Sequence, residues 1–198
     1  MSAASPGRWE WRTFGDDFGA AEERFAALEP ERVHESDETY LLSAEDDADT
    51  VKVRDELMDV KHLEHVDGDG LEQWLPVMKA GFPLAAADLE SVLAALREPA
   101  SGLERAEYTL DQLLDDVVRP RADLRAVDVH KLRRRFTIGG CMTEWTDVRA
   151  DDASTRTIAV ETEDPALVIA TVRELGLESR PNTSYPRGLK ALLGFGAP

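Results

Sequence analysis

Four segments of the sequence alternate charged and apolar residues with a period of two. They are residues 8–14, 50–63, 127–149 and 156–163. Residues two apart lie on the same face of an extended strand, so each segment predicts strands with one charged and one apolar face. Lysine and arginine are enriched on the charged faces, although the whole chain carries a formal net charge of −17. Because both residue types hold phosphoryl oxygens, these faces could bind a highly charged anion.

A few carboxylates lie among these basic residues. The acidic exceptions are Glu10, Glu144, Glu161 and Glu163. Mg²⁺ is typically bound by one or two carboxylates together with substrate phosphates and water. Such an ion could polarise a phosphoryl oxygen or position an attacking water. The residue types therefore fit a polyphosphate chain with a divalent cation.

The segment 50–63 predicts a hairpin with a two-residue turn at Asp55-Glu56. The predicted cross-strand pairs are Arg54 with Leu57 and Lys52 with Asp59. The charged face then comprises Lys52, Arg54, Asp59 and Lys61, and the apolar face comprises Val51, Val53, Met58 and Val60. Both strands follow the pattern at once, which supports the assignment more than either strand alone.

The segment 127–149 predicts a second hairpin, with its turn at Gly139-Gly140. This turn places Arg135 opposite Glu144 and Arg133 opposite Thr146. Lys131, Arg133, Arg135 and Glu144 then share one face, and Phe136, Ile138, Cys141, Thr143 and Trp145 share the other. An exposed Arg135–Glu144 ion pair is the alternative interpretation of this face, and such a pair would add little stability.

Four amphipathic helices are predicted between and after these strands. They begin after Asp16-Asp17, after Pro83, at Thr109 and at Asp164-Pro165. Shorter strands are predicted at 39–43 and 72–79, the latter broken by Pro76, and the C-terminal tail is predicted as a loop with a short apolar turn. An ordinary antiparallel sheet with solvated charged faces is one arrangement of these elements. A closed barrel with a charged interior, covered by helices on its apolar outer face, is the other.

Composition excludes several classes of protein. The 198 residues suit one domain, and no apolar run is long enough for a transmembrane helix. The first seven residues lack the pattern of a signal peptide, and the single Cys141 excludes an internal disulfide. The acidic balance argues against nucleic acid as a partner. We therefore expect a cytoplasmic protein with no membrane partner, and a homodimer is left open.

The ordered set of motifs resembles the CYTH superfamily, the triphosphate tunnel metalloenzymes. Its Glu-x-Glu-x-Lys signature is similar to Arg8-x-Glu10-x-Arg12 here. The further matching segments are Val51-Lys-Val-Arg54 with the Lys61 strand, Lys131-x-Arg133-x-Arg135, Glu161-x-Glu163 before a helix, and Ser184-Tyr185. The resemblance implies a single domain over residues 1–198, of class α+β. That domain would be an eight-stranded antiparallel tunnel binding triphosphates with Mg²⁺ or Mn²⁺.

The resemblance also implies roles for individual residues. Metal binding would fall to Glu10, Glu161 and Glu163, and Glu144 would position a water. Phosphate binding would fall to Arg8, Arg12, Lys52, Arg54, Lys61, Arg133 and Arg135. Because Arg8 replaces the first signature Glu, the metal site loses a carboxylate and the anion site gains a guanidinium. The leading hypothesis is a triphosphatase; the alternatives are a non-catalytic module binding polyphosphate, a nucleotide or another multivalent anion, and, third, an adenylyl cyclase.

Overall fold

Eight antiparallel strands close into a barrel in the computed structural model, which describes residues 7–196. With two strands outside the barrel, the described residues form ten strands: β1 (Arg8–Gly15), β2 (Arg32–Ser43), β3 (Asp49–Arg54), β4 (Leu57–Val66), β5 (Glu72–Gly81), β6 (Leu84–Ala85), β7 (Glu107–Tyr108), β8 (Leu124–Ile138), β9 (Cys141–Ala150) and β10 (Ala153–Thr162). Their order around the barrel is β1-β10-β9-β8-β2-β3-β4-β5, while β6 and β7 form a separate pair. The predicted closed barrel is confirmed.

Five helices accompany the strands in the described part of the chain. They are α1 (Ala20–Ala26), α2 (Ala86–Ala95), α3 (Leu110–Gln112), α4 (Pro165–Glu174) and α5 (Tyr185–Leu193), and a π-helical segment, Leu113–Val118, continues α3. Thr109 and Gln112 form a capping box at the start of α3, and Asp164 caps α4 with Pro165 in its first turn, as predicted. No helix within residues 7–196 has the length and apolar character needed to cross a membrane. Residues 1–6, on which the signal-peptide expectation largely rests, lie outside the described range.

The chain divides into two compact units, each with its own hydrophobic cluster. The first unit comprises the described residues up to Ser36, Leu63–Leu75 and His130–Ser184; the second comprises Asp37–His62, Pro76–Val129 and the described residues from Tyr185 onwards. In the first unit, apolar strand residues such as Trp11, Ile158 and Val160 pack with residues of α1 and α4. In the second, Val51, Val53, Met58 and Val60 pack with residues of α2 and the π-helical segment. The apolar strand faces are therefore covered by helices, and the buried charged residues lie inside the barrel.

The β3–β4 hairpin has the predicted register. Arg54 pairs with Leu57 and Lys52 pairs with Asp59. The turn residues Asp55 and Glu56 have φ values of 52° and 59°. Positive φ at both central positions is the signature of a type I′ turn, whose twist matches that of the flanking strands.

Glu56 adopts the left-handed conformation that glycine tolerates best, and this gives a stability prediction. Glu56→Gly is expected to raise the free energy of unfolding by about 1 kcal/mol, because the side chain at positive φ is strained. Urea unfolding monitored by circular dichroism measures the change. Glu23→Gly in α1 is the control, and it should lower stability by about 0.5–1 kcal/mol. A loss of stability in the Glu56 variant would contradict the prediction.

Three local predictions were wrong. β2 begins at Arg32, well before the predicted start at residue 39. Pro76 does not break β5, and it lies beyond the stretch Glu72–Trp74 that pairs with β1. The tail predicted as a loop forms α5, in which Pro186 occupies the first turn, where a backbone N–H is not needed.

Candidate functional site

The first unit presents a continuous charged face on β1, β10 and β9. Glu10 pairs with Glu161 across β1 and β10, and Arg12 pairs with Ala159. Ala159 in turn pairs with Glu144 on β9. Since directly paired residues share a face, Glu10, Arg12, Glu144 and Glu161 all lie on the same side of the sheet. The opposite side carries the apolar residues of the first hydrophobic cluster.

Glu144 is a largely buried carboxylate of this face and contacts two arginines of β8. Its Oε2 accepts a hydrogen bond from Arg135 Nε at 3.3 Å, and its Oε1 lies 3.7 Å from Arg133 Nε. The Thr146 hydroxyl donates to Oε1 at 3.0 Å. Glu144 is 8% exposed and Arg133 is 5% exposed. The Glu144 network is therefore a buried ionic cluster rather than a solvent-exposed pair.

The electrostatics of the cluster keep Glu144 ionised. Burial by itself would raise the pKa of Glu144, but the positive charges of Arg12, Arg133 and Lys131 and the Thr146 hydrogen bond outweigh that effect. The net pKa lies below the usual value. An ionised carboxylate held in this way can orient a water molecule, although its low basicity makes it a weak proton acceptor.

The remaining carboxylates of this face are each held by an arginine of β1. Arg12 Nε donates to Glu10 Oε1 at 2.8 Å, with both side chains largely buried. Arg8 Nη1 donates to Glu161 Oε1 at 3.1 Å, although Arg8 itself is exposed. Glu163 is also exposed and lies just beyond the end of β10. Of the three predicted metal ligands, Glu10 and Glu161 are thus adjacent, and Glu163 is outside the strand.

Glu72 is a carboxylate that the sequence analysis did not identify. It pairs with Glu10 from the β5 side and is 5% exposed. The indole Nε1 of Trp74 donates to Glu72 Oε2 at 3.3 Å. Glu161, Glu10 and Glu72 therefore form a row across three neighbouring strands, β10, β1 and β5. The pairing of β1 with β5 joins distant parts of the chain, and no local sequence signal reveals it.

Asn182 fixes the backbone of the strand that carries Glu10 and Arg12. Its Oδ1 accepts from Arg12 N at 2.8 Å, and its Nδ2 donates to the carbonyl oxygens of Glu10 at 3.3 Å and Gly70 at 2.9 Å. Thr183 N donates to Arg12 O at 2.6 Å. β5 pairs with β1 only up to Glu10, and beyond that residue the segment around Asn182 supplies the hydrogen bonds to this edge of β1.

The second unit holds its own charged group around Glu38, which the sequence analysis also missed. The Glu38 side chain is fully buried; Lys52 Nζ donates to its Oε2 at 3.0 Å, and Arg54 Nη1 lies 3.7 Å from its Oε1. Lys52 also lies over the ring of Tyr40, 5.5 Å from its centroid. Tyr40 in turn stacks on Tyr185 of α5. The predicted phosphate ligands Lys52 and Arg54 therefore converge on one buried carboxylate.

Lys61, the third predicted phosphate ligand of this unit, is half-buried. It lines a cavity of about 360 Å³. The other lining residues are Asp59, Pro76, Val77, Met78 and Lys79. Two lysines and one aspartate give this cavity a mixed but predominantly basic wall.

The described carboxylates do not form a ready metal centre. Among residues 7–196, no group of three or more His, Cys, Asp or Glu side chains has an arrangement that could hold a metal ion. Glu10 and Glu161 are adjacent, but each accepts a hydrogen bond from an arginine. The donor set on this face is therefore neutralised by guanidinium groups, which does not fit a resident Mg²⁺ or Mn²⁺.

Several solved structures are similar to this chain. A candidate adenylyl cyclase from Hippeastrum, described as having a dominant triphosphatase activity, has a TM-score of 0.50 and 13% identity over 96% of this chain and 98% of that one. A protein from Pyrococcus horikoshii has a TM-score of 0.49 and 16% identity, covering 90% of this chain and 97% of its own. A candidate adenylate cyclase from Bacillus halodurans has a TM-score of 0.47 and 13% identity, with coverages of 90% and 95%. No family model and no curated protein matches the sequence.

At this level of identity the structural likeness concerns the fold. The fold that the resemblance to the CYTH superfamily implies, a closed eight-stranded antiparallel barrel with charged residues inside, is confirmed. The roles predicted for individual residues stay predictions.

Proposed function

We propose that the protein binds a triphosphate-containing small molecule through the basic interior of its barrel and hydrolyses it. The observation that carries this proposal is the buried cationic group around Glu144. Arg12, Lys131 and Arg133 all act on this one carboxylate. Each of the three is at least nine-tenths buried. Buried cations gathered around one point repel one another, and a multivalent anion bound among them relieves that repulsion.

A triphosphate suits this environment better than a monovalent anion. Its oxygens can accept hydrogen bonds from several guanidinium and ammonium groups at once, and charge-assisted bonds of this kind are the strong ones. Arg12, Arg133 and Arg135 would bind phosphates in the first unit, with Arg8 at the exposed end of β1. In the second unit, phosphates would be bound by Lys52, Arg54 and Lys61. The net charge of −17 makes nucleic acid an unfavourable alternative ligand.

Hydrolysis is proposed on the basis of Glu144. Phosphoryl transfer depends mainly on positioning and on stabilisation of negative charge in the transition state. The ionised Glu144 could orient the attacking water, while the surrounding arginines and Lys131 neutralise the phosphoryl oxygens. Water then attacks the terminal phosphorus, the bond to the bridging oxygen breaks, and orthophosphate is released.

A non-catalytic binding module of the same fold is the second candidate. It is favoured by the two arginine pairs on β1, because Arg8 and Arg12 hold carboxylates that a metallohydrolase would use for its metal. Phosphate release from tripolyphosphate, assayed with Mg²⁺ and with EDTA, distinguishes the two functions. Turnover supports the hydrolase. Thermal stabilisation by tripolyphosphate without turnover supports the binding module. If tripolyphosphate is neither hydrolysed nor stabilises the protein, both functions are refuted.

Arg133→Ala and Arg54→Ala test the two phosphate-binding groups separately. Each variant is expected to weaken tripolyphosphate binding about 10- to 100-fold, which corresponds to the loss of one charge-assisted hydrogen bond worth about 1.5–3 kcal/mol. Isothermal titration calorimetry measures the dissociation constants. The control is Arg24→Ala in α1, whose exposed partner is Glu174; its affinity should equal that of the wild type. Unchanged binding in both test variants would remove these strands from the site.

A further inference from the structure

Three carboxylates lie in a row at Glu161, Glu10 and Glu72, and neighbouring arginines offset the repulsion between them. The three residues occupy paired positions on adjacent strands. Three like charges at neighbouring positions are destabilising unless cations lie between them. Glu10 stands at the middle of the row, and both residues two positions away from it on β1, Arg8 and Arg12, are arginines.

These two arginines do contact the row. Arg12 Nε lies 2.8 Å from Glu10 Oε1, and Arg8 Nη1 lies 3.1 Å from Glu161 Oε1. Together they bring two positive charges, the charge of one divalent ion. A guanidinium group stays protonated throughout the physiological pH range and carries five N–H donors. The exposed Arg8 can therefore hold Glu161 through one edge of its guanidinium group and meet a phosphoryl oxygen through another, while Arg12 supplies the second positive charge.

We propose that Arg8 and Arg12 take the place of a divalent cation, linking the carboxylate row to the bound anion, so that triphosphate binding by this protein does not require a metal. The inference rests on the proposed function, since it concerns the same anion. It accounts for the presence of Arg8 at the first position of the β1 motif. It also accounts for the absence, within residues 7–196, of a carboxylate cluster suited to a metal ion.

Arg8 is the residue through which the inference can be tested. Its side chain is 57% exposed, so a substitution there disturbs little packing. Arg8→Glu restores a carboxylate at this position and removes one guanidinium. Arg8→Gln removes the charge without adding a carboxylate, and it serves as the matched control.

The experiment measures tripolyphosphate binding by isothermal titration calorimetry in EDTA and in Mn²⁺. For the wild type, the two dissociation constants are expected to agree within about threefold. Arg8→Glu is expected to bind at least 10-fold more weakly in EDTA and to recover in Mn²⁺. Arg8→Gln is expected to lose affinity equally in both conditions. Electron paramagnetic resonance should detect stoichiometric Mn²⁺ binding by Arg8→Glu alone, without any anion.

The outcomes separate this inference from the proposed function. Wild-type binding that appears only with Mn²⁺ would overturn the inference and leave the proposed function standing. If Mn²⁺ does not restore the affinity that Arg8→Glu loses, the proposal that the two arginines take the place of a divalent cation is overturned. No binding by the wild type in either condition would overturn both.

Discussion

Glu144→Gln is expected to lower the free energy of unfolding at neutral pH by about 3–5 kcal/mol. The substitution keeps the shape of the side chain but removes a buried negative charge on which Arg12, Lys131 and Arg133 all act. Breaking a buried ion pair by neutralising one partner leaves the other charge uncompensated, and this is the origin of the large effect. Urea unfolding of both proteins measures the difference.

The effect should depend on pH in a defined direction. The pKa of Glu144 is lowered in the folded protein, so the unfolded chain takes up the proton first as the pH falls. The stability that ionised Glu144 contributes is therefore fully present above its unfolded pKa of about 4.3, and it is lost as the pH falls through the folded value. The difference between wild type and Glu144→Gln should be constant at neutral pH and should shrink in acid.

Asp147→Asn is the control for this prediction. Asp147 lies on the same strand, but its partner is Arg134, at 2.7 Å, and its side chain is 45% exposed. Removal of an exposed pair costs less than about 1 kcal/mol. Equal destabilisation by the two variants would refute the special role of the buried cluster. Tripolyphosphate should also stabilise Glu144→Gln more than the wild type, because the anion replaces the lost negative charge.

Lys131→Met is expected to weaken tripolyphosphate binding without lowering the free energy of unfolding. Lys131 is 1% exposed and acts on Glu144 together with Arg12 and Arg133. Methionine has a similar length and no charge. Without Lys131, Glu144 still has Arg12 and Arg133 to compensate its charge, and the repulsion between Lys131 and these two arginines is removed. The free energy of unfolding should therefore stay the same or rise, while tripolyphosphate affinity should fall about 10- to 100-fold for a lost charged contact.

Thermal unfolding and calorimetric titration on the same samples test both halves of this prediction. Arg134→Met is the matched control, because Arg134 lies on the same strand but faces the outer cavity beside Phe136 and Trp145. Its affinity should stay within twofold of the wild type. A Lys131 variant that unfolds readily yet binds normally would assign Lys131 to folding and remove it from the anion site.

Several local features of the fold were predicted from the sequence. The β3–β4 register followed from period-two alternation and a two-residue turn, and the starts of α3 and α4 followed from their capping residues. In each case the controlling interactions lie within a few residues of one another. The closed barrel was predicted because basic residues are enriched on the charged strand faces of an acidic chain and because the ordered motifs resemble the CYTH superfamily.

The features that were missed depend on pairings between distant parts of the chain. Glu72 joins the carboxylate row only because β5 pairs with β1, and Glu38 meets Lys52 only because β2 pairs with β3. Neither residue stands out in its own segment. The helix α5 was missed for a different reason, because Pro186 and Gly188 favour a loop locally and tertiary packing buries both of them.

The two hydrophobic clusters lie between the strands and the helices, on the outer wall of the barrel. A substitution on the inner wall therefore exchanges one polar group for another without opening a void in tightly packed hydrocarbon. In most small domains the residues at the centre form the hydrophobic core, and large-to-small substitutions there are strongly destabilising. Here the inner wall is polar, so a substitution there acts through charge and hydrogen bonding, as the expected cost of Glu144→Gln illustrates, and it leaves the hydrophobic packing of the outer face in place.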